Sequence, residues 1–177
     1  MLLIVNNGKG AEELSQLVRM PNKIISPKDA MEKASAYILS DGDIKHQKEN
    51  EKLIKSTDKP VLGIGIGCLF IGAAHGAKIK SVPKVERTER LTLKRPCPLT
   101  LDLKKMFAVV ESYHHVLQDV PEECNVWASS PKYEHEIISF ADKPFFGVQF
   151  NPEKGADGRI ILTNFERFVG VWEKYHR

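Results

Sequence analysis

No run of apolar residues in this chain approaches the roughly 18 that would span a membrane. Cysteine is scarce: Cys68, Cys97 and Cys124 are odd in number and widely spaced. They form neither a paired disulfide framework nor CxxC metal spacing, and a reducing, cytoplasmic compartment is the expectation. Excess charge is also lacking. A formal net charge of +3 over 177 residues, with basic and acidic side chains interspersed, gives no electrostatic footprint for nucleic acid. The N-terminus MLLIVNNGKG lacks a basic region ahead of its apolar residues, so it reads as a first strand rather than a signal peptide.

The rest has the balance of an ordinary soluble globular protein, 42% hydrophobic and 28% charged. At this length a core forms without a disulfide or metal staple, and one domain over residues 1–177 is expected. Strand and helix signals alternate through the first half. LLIV ends at Asn6, Asn7 and Gly8, and AEELSQLVRM carries Leu14, Leu17 and Val18 on one helical face. KIIS is a second strand. Ser26, Pro27 and Asp29 then read as the cap and first turn of a helix. AYILS is a third strand, IKHQKENEKLIKSTD an exposed helix and PVLGIG a fourth strand. CLFIGAAHGA is the next helix, with Gly76 as its C-terminal cap.

This order implies an α/β fold, a mostly parallel central sheet with helices on both faces. Ligand sites in such sheets lie outside the carboxyl ends of the strands, which places Asn6–Gly8, Ser40–Asp43 and Gly65–Cys68 on one rim. The second half is different. KIKSVPKVERTERLTLKR reads as a solvated β-ribbon, and FAVVESY, NVWAS, HEIISFA and FFGVQF as antiparallel additions and edge strands. A closing helix from about residue 158 to 175 presents Ile161, Phe165, Phe168 and Trp172 as a core-facing stripe.

The stretch VLGIGIGCLFIG has the form of a strand–turn–helix elbow, a turn that often exposes a nucleophile. Together PVLGIGIGCLFIGAAHGAKI, KPFFGVQFNPEKG, LLIVNNG and the ILSDGD turn resemble the class I glutamine amidotransferases. The nearest likeness is to the separately encoded amidotransferase subunit of archaeal-type GMP synthetase. The resemblance covers essentially the whole chain and implies a flavodoxin-like three-layer sandwich. It also implies a synthetase subunit or other protein as partner, and a small-molecule pocket on the rim. No cofactor, metal, nucleic acid or membrane is implied.

The family's elbow reads G-x-C-x-G-x-Q. Gly63 and Gly67 match its glycines, but the nucleophile position is Gly65 and the glutamine-contacting position is Leu69. The late motif G-V-Q-F-H-P-E aligns with Gly147–Glu153, where the base position is Asn151 and Glu153 matches the orienting glutamate. Hydrolysis through a thioester needs a thiolate and a base within hydrogen-bond reach. Gly65 offers no side chain, and Asn151 cannot exchange a proton near neutral pH. The backbone oxyanion hole, from Ile66 and the Gly42 turn, is expected to survive because N–H groups need no side chain.

Gly65 has two readings, a glycine needed for a strained turn or the trace of a lost nucleophile. Cys68, three residues on, is an alternative nucleophile near the helix N-terminus, but about 300° of rotation and roughly 4.5 Å along the axis misalign it. The reading preferred for it is a buried small hydrophobe. His114 aligns with a Ser/Tyr-His motif that holds glutamine in the family. His115 should alternate with it across the strand. Turn chemistry accounts for Asp41 and Asp43. Gln149 and Asn151 are expected on one face of the last strand.

Three functions remain as expectations. The first is an amidotransferase-like protein without glutaminase activity that binds, regulates or scaffolds. The second is an active subunit using partner-supplied or displaced groups. The third is a plain interaction protein with its rim filled by Leu69 and Phe70.

Overall fold

The computed structural model describes residues 1–30 and 33–176. Eleven strands and four α-helices follow one another among the described residues. The parallel half comprises β1 (Leu2–Val5), the two-residue β2 (Gly8–Lys9), α1 (Ala11–Leu17), β3 (Asn22–Ile25), β4 (Ala36–Leu39), the two-residue β5 (Asp41–Gly42), α2 (Gln47–Ser56), β6 (Val61–Ile64) and α3 (Ile66–Ala74). After these come β7 (Lys78–Leu93), β8 (Met106–Asp119), β9 (Cys124–Ser129), β10 (Ile137–Phe140), β11 (Phe145–Val148) and α4 (Ala156–Tyr175). Nine strands form one sheet in the order β3-β1-β4-β6-β11-β10-β9-β7-β8. β3, β1, β4, β6 and β11 run parallel, and the other four continue antiparallel from β11. This is the α/β architecture expected.

Strand alternation explains why both faces are covered. Leu2 and Ile4 of β1 belong to a core shared with Leu14 of α1 and with Ile161, Phe165 and Val169 of α4. Leu3 and Val5 point the other way, into a core with Leu53 of α2 and Leu69 and Phe70 of α3. Burial of a large side chain such as Phe165 contributes on the order of 2–3 kcal/mol. The stripe on α4 is graded: Ile161 and Phe165 are fully buried, whereas Phe168 is partly buried against the core edge.

Three local expectations need correction. Ser26 does act as a cap, accepting from Lys28 N–H at 3.2 Å, but the element it opens is a single 3-10 turn, Pro27–Asp29. Residues 31 and 32, where that helix would continue, lie outside the described residues. Gly76 sits one residue beyond the cap His75, in a positive-φ conformation, and Ala77 N–H closes on Gly72 O at 3.0 Å. Gln149 and Asn151 fall beyond β11, since the strand ends at Val148 and the chain turns to meet β8 through Asn151 N–H to Val110 O, 2.9 Å.

Candidate functional site

Four strand ends converge on one rim. β1 delivers Asn7 and Lys9, β4 delivers Ser40 and Asp41, β6 delivers Gly65, and β11 delivers Gln149 and Asn151. Buried polar bonds fix the first two. Asn7 N–H donates to Ser40 Oγ and Asn7 Nδ2 to Ser40 O, both at 2.9 Å, while Asn50 Nδ2 on α2 donates to Asn7 Oδ1 at 2.7 Å. The antiparallel pair β2–β5 then sets Lys9 opposite Asp41. Gly65 N–H donates to Val148 O at 2.9 Å, locking the elbow to β11.

The elbow itself is intact. Gly65 has φ 54° and ψ −115°, a conformation that glycine tolerates and side-chain-bearing residues adopt only under strain. Helix α3 starts immediately after it, and the backbones of Gly63 and Gly67 pack so closely that a Cβ on Gly63 would lie 2.5 Å from Gly67 O. Both glycines of the elbow motif are thus explained by strand–helix contact.

The space a nucleophile would fill is taken. A Cβ placed on Gly65 would lie 2.4 Å from both Cγ and Oδ1 of Asp41. The Asp41 carboxyl reaches into the turn, and its Oδ1 accepts from Ile66 N–H and Gly42 N–H, each at 2.9 Å. These are the two N–H groups expected to form an open oxyanion hole. Both are taken by the protein's own Asp41 carboxyl. Asn151 Nδ2 donates to the second oxygen, Oδ2, at 3.2 Å, and Lys9 Nζ stands 3.8 Å from it. Asp41 is 6% exposed, so these donors replace water almost entirely. Turn chemistry alone does not describe it, whereas Asp43 is a turn residue as expected, accepting from Lys45 N–H at 2.9 Å. The first reading of Gly65, a glycine suited to a strained turn, agrees with its φ, and a side chain there would meet the Asp41 carboxyl unless Asp41 moved.

The other expected residues divide clearly. Gly42, Gly65, Ile66, Asn151 and Glu153 gather around Asp41. Glu153 is buried against Gly10, and neither of its carboxyl oxygens has a hydrogen-bond partner among the described residues. Burial, with Asp41 nearby, pushes its carboxyl up to about 7. Leu69 and the exposed His114 line a small cavity of about 160 Å³ with Lys9, Tyr113, His115 and Gln149. That is below the roughly 300 Å³ at which small-molecule pockets begin. Gln149 is committed elsewhere, donating to His115 O at 3.1 Å. Cys68 is not brought to the site. It is fully buried among the residues facing α3, its Sγ lies against Gly147, and burial drives its thiol well above the ordinary range.

A second acidic group, the pair Glu111 and Glu136, has no signature in the sequence. Glu111 on β8 and Glu136 before β10 are both buried, and the Arg87 guanidinium lies 3.0 Å from Glu111 through Nε. Neither oxygen of Glu136 has a hydrogen-bond partner among the described residues, and burial together with Glu111 pushes its carboxyl up to about 10. Their separation of 25 residues, with Arg87 a further 24 before Glu111, leaves no local signature.

Elbow, rim and sheet order together define an amidotransferase-type α/β scaffold. The Glutamine amidotransferase class-I family profile matches residues 5–165, and the chain belongs to that family. It is similar to the glutamine-hydrolyzing GMP synthase subunit of Methanococcus vannielii, 27% identical with 96% of this chain and 97% of the relative covered. The same subunit of Methanopyrus kandleri is also 27% identical, over 96% and 98%. Among solved structures, a protein assigned as a GMP synthase subunit from Thermoplasma acidophilum superposes with a TM-score of 0.92 at 19% identity, covering 98% and 96%. A glutamine amidotransferase from Thermotoga maritima gives 0.72 at 15%, covering 98% and 82%. No helix among the described residues is long and apolar enough to cross a membrane.

Proposed function

We propose that this chain is an amidotransferase-like subunit without glutaminase activity, one that binds, regulates or scaffolds a protein partner of the synthetase type. The observation that carries the reading is the Asp41 carboxylate, which takes both N–H donors of the hole and the room for a side chain at position 65. A tetrahedral oxyanion would have to displace a like-charged group already bonded there. The nucleophile position holds no side chain, and the base position is an amide that donates to Asp41 instead of accepting a proton. Leu69, 1% exposed, adds packing where the family contacts glutamine.

Nearly complete coverage of relatives named as a synthase subunit favours a second reading, an amidotransferase that becomes active on docking. Ammonia release from glutamine separates the two, measured on the purified chain alone and with a candidate synthetase subunit. The non-glutaminase reading expects no release above background in either case. Release that depends on the added subunit would overturn it in favour of the second, and release from the chain alone would overturn both the reading and its mechanism.

A further inference from the structure

A larger cavity, about 520 Å³, lies on the far side of Lys84 and Tyr113, which line both it and the small pocket beside the elbow. It sits where the ribbon β7–β8 loses register. Ser81 pairs with His115 and Val85 with Tyr113, so Val82, Pro83 and Lys84 stand opposite His114 alone. Such bulges re-aim side chains and release backbone groups from the ladder, and they are frequent beside functional sites.

The walls combine rings and cations. Tyr113 and Tyr133 have ring centroids 6.3 Å apart, and His135 meets Tyr133 edge-on at 5.6 Å. Tyr133 is fixed by accepting from Leu117 N–H at 3.1 Å. Arg87 is held in place by Glu111 and Glu89, each 3.0 Å from its Nε, and donates to the Tyr113 hydroxyl at 3.2 Å. Its charge is therefore matched, as is that of Lys84, which pairs with Glu86 at 3.2 Å, and the excess positive charge comes from Lys80 and Lys132. The one lining carboxylate, Glu134, is engaged with Lys94 at 3.6 Å. His135 Nδ1 is shut off from solvent and has no partner among the described residues. The volume falls inside the roughly 300–1,000 Å³ range of small-molecule sites.

We propose that this cavity binds a small organic anion built on a flat ring, the ring against Tyr113 and Tyr133 and the anionic group between Lys80 and Lys132. Aromatic walls recognise the flat body, and a concentration of cations around one mouth selects its charge. The proposal stands apart from the elbow's chemistry, because it uses neither Asp41 nor Gly65.

Phenyl phosphate is a suitable probe, titrated into the ¹⁵N-labelled full chain and followed by amide shifts, with inorganic phosphate and phenol as comparators. The expected result is saturable shifts at residues 80–87, 113–118 and 132–135, with phosphate or phenol alone binding at least about tenfold more weakly. The Lys80→Glu/Lys132→Glu variant should lose about tenfold in affinity with an unchanged melting temperature. If that variant fails to fold, the salt dependence of binding to the unmodified chain carries the same test, since a charge-selected site weakens as salt rises. Equal binding of inorganic phosphate, shifts centred on Gly42 and Ile66, or no saturable shifts would each overturn the proposal.

Discussion

Two kinds of buried carboxyl coexist in this molecule, and they are held by opposite means. Asp41 at the rim is surrounded by donors: two backbone N–H groups, the Asn151 amide and the nearby Lys9 ammonium. Glu136 under the ribbon and Glu153 behind the rim have no hydrogen-bond partner on either oxygen among the described residues, and burial raises both carboxyls, so that each holds its proton to higher pH. The rim therefore gathers its donors around an internal carboxyl, whereas burial tunes the neighbouring acids toward neutrality. The space beside Gly65 is not a void; the Asp41 carboxyl from the adjoining strand end fills it.

The largest effect expected from breaking this arrangement is at Gly65. Gly65→Cys alone should destabilise the chain by about 3 kcal/mol, from a strained φ plus collision with Asp41. Adding Asp41→Gly should give a total loss smaller than the sum of the two single losses, a non-additivity read from urea unfolding of the two singles and the double. Strict additivity would mean that the two side chains do not compete for one space.

Asp41→Ala comes next, at about 2 kcal/mol, because it leaves Ile66 and Gly42 N–H groups without their acceptor. Acetate should partly restore its melting temperature in a concentration-dependent way, since an anion binding only the native state stabilises it. Acetate should leave the unmodified chain unchanged.

Glu136 gives a smaller, pH-dependent effect. Its native carboxyl keeps a proton up to about 10, whereas in the unfolded chain it loses it near its ordinary value of 4.5. Between those limits the unfolded state binds fewer protons, so stability falls as pH rises. From pH 7 to 8 the slope should approach about 1.4 kcal/mol per unit for one such group. Glu136→Gln should flatten it. Denaturant unfolding at several pH values checks both statements.

Much of the scaffold was legible in the sequence because it depends on local pattern. The apolar runs Leu2–Val5 and Val61–Ile64, the glycine spacing of the elbow and the stripe from Ile161 to Phe165 each point to a strand, a turn or a helix face within a few residues. The burial of Cys68 matches the expectation drawn from how often free cysteines are buried. Asp41 was not legible as an occupant. Its bonds reach Ile66, 25 positions on, and Asn151, 110 positions on, while an aspartate before glycine already has a sufficient local explanation as a turn residue. A signal was present nonetheless: an acidic side chain directly before the glycine assigned to the hole, in a chain whose nucleophile position has no side chain. The Glu111–Glu136 pair had no comparable signal, since β8 and the segment before β10 come together only through the fold of the ribbon.

The proposed lack of glutaminase activity rests on Asp41 taking both N–H donors at Ile66 and Gly42 and the space beside Gly65. The sharpest test is glutaminase activity in two engineered chains, Gly65→Cys/Asn151→His and the same pair with Asp41→Gly. Each is assayed with a candidate synthetase subunit and with thiol labelling of the introduced cysteine. No ammonia is expected from the double variant, and ammonia together with a readily alkylated thiol is expected from the triple. Equal activity in the two would contradict this, showing that Asp41 moves aside freely and that the hole was never closed.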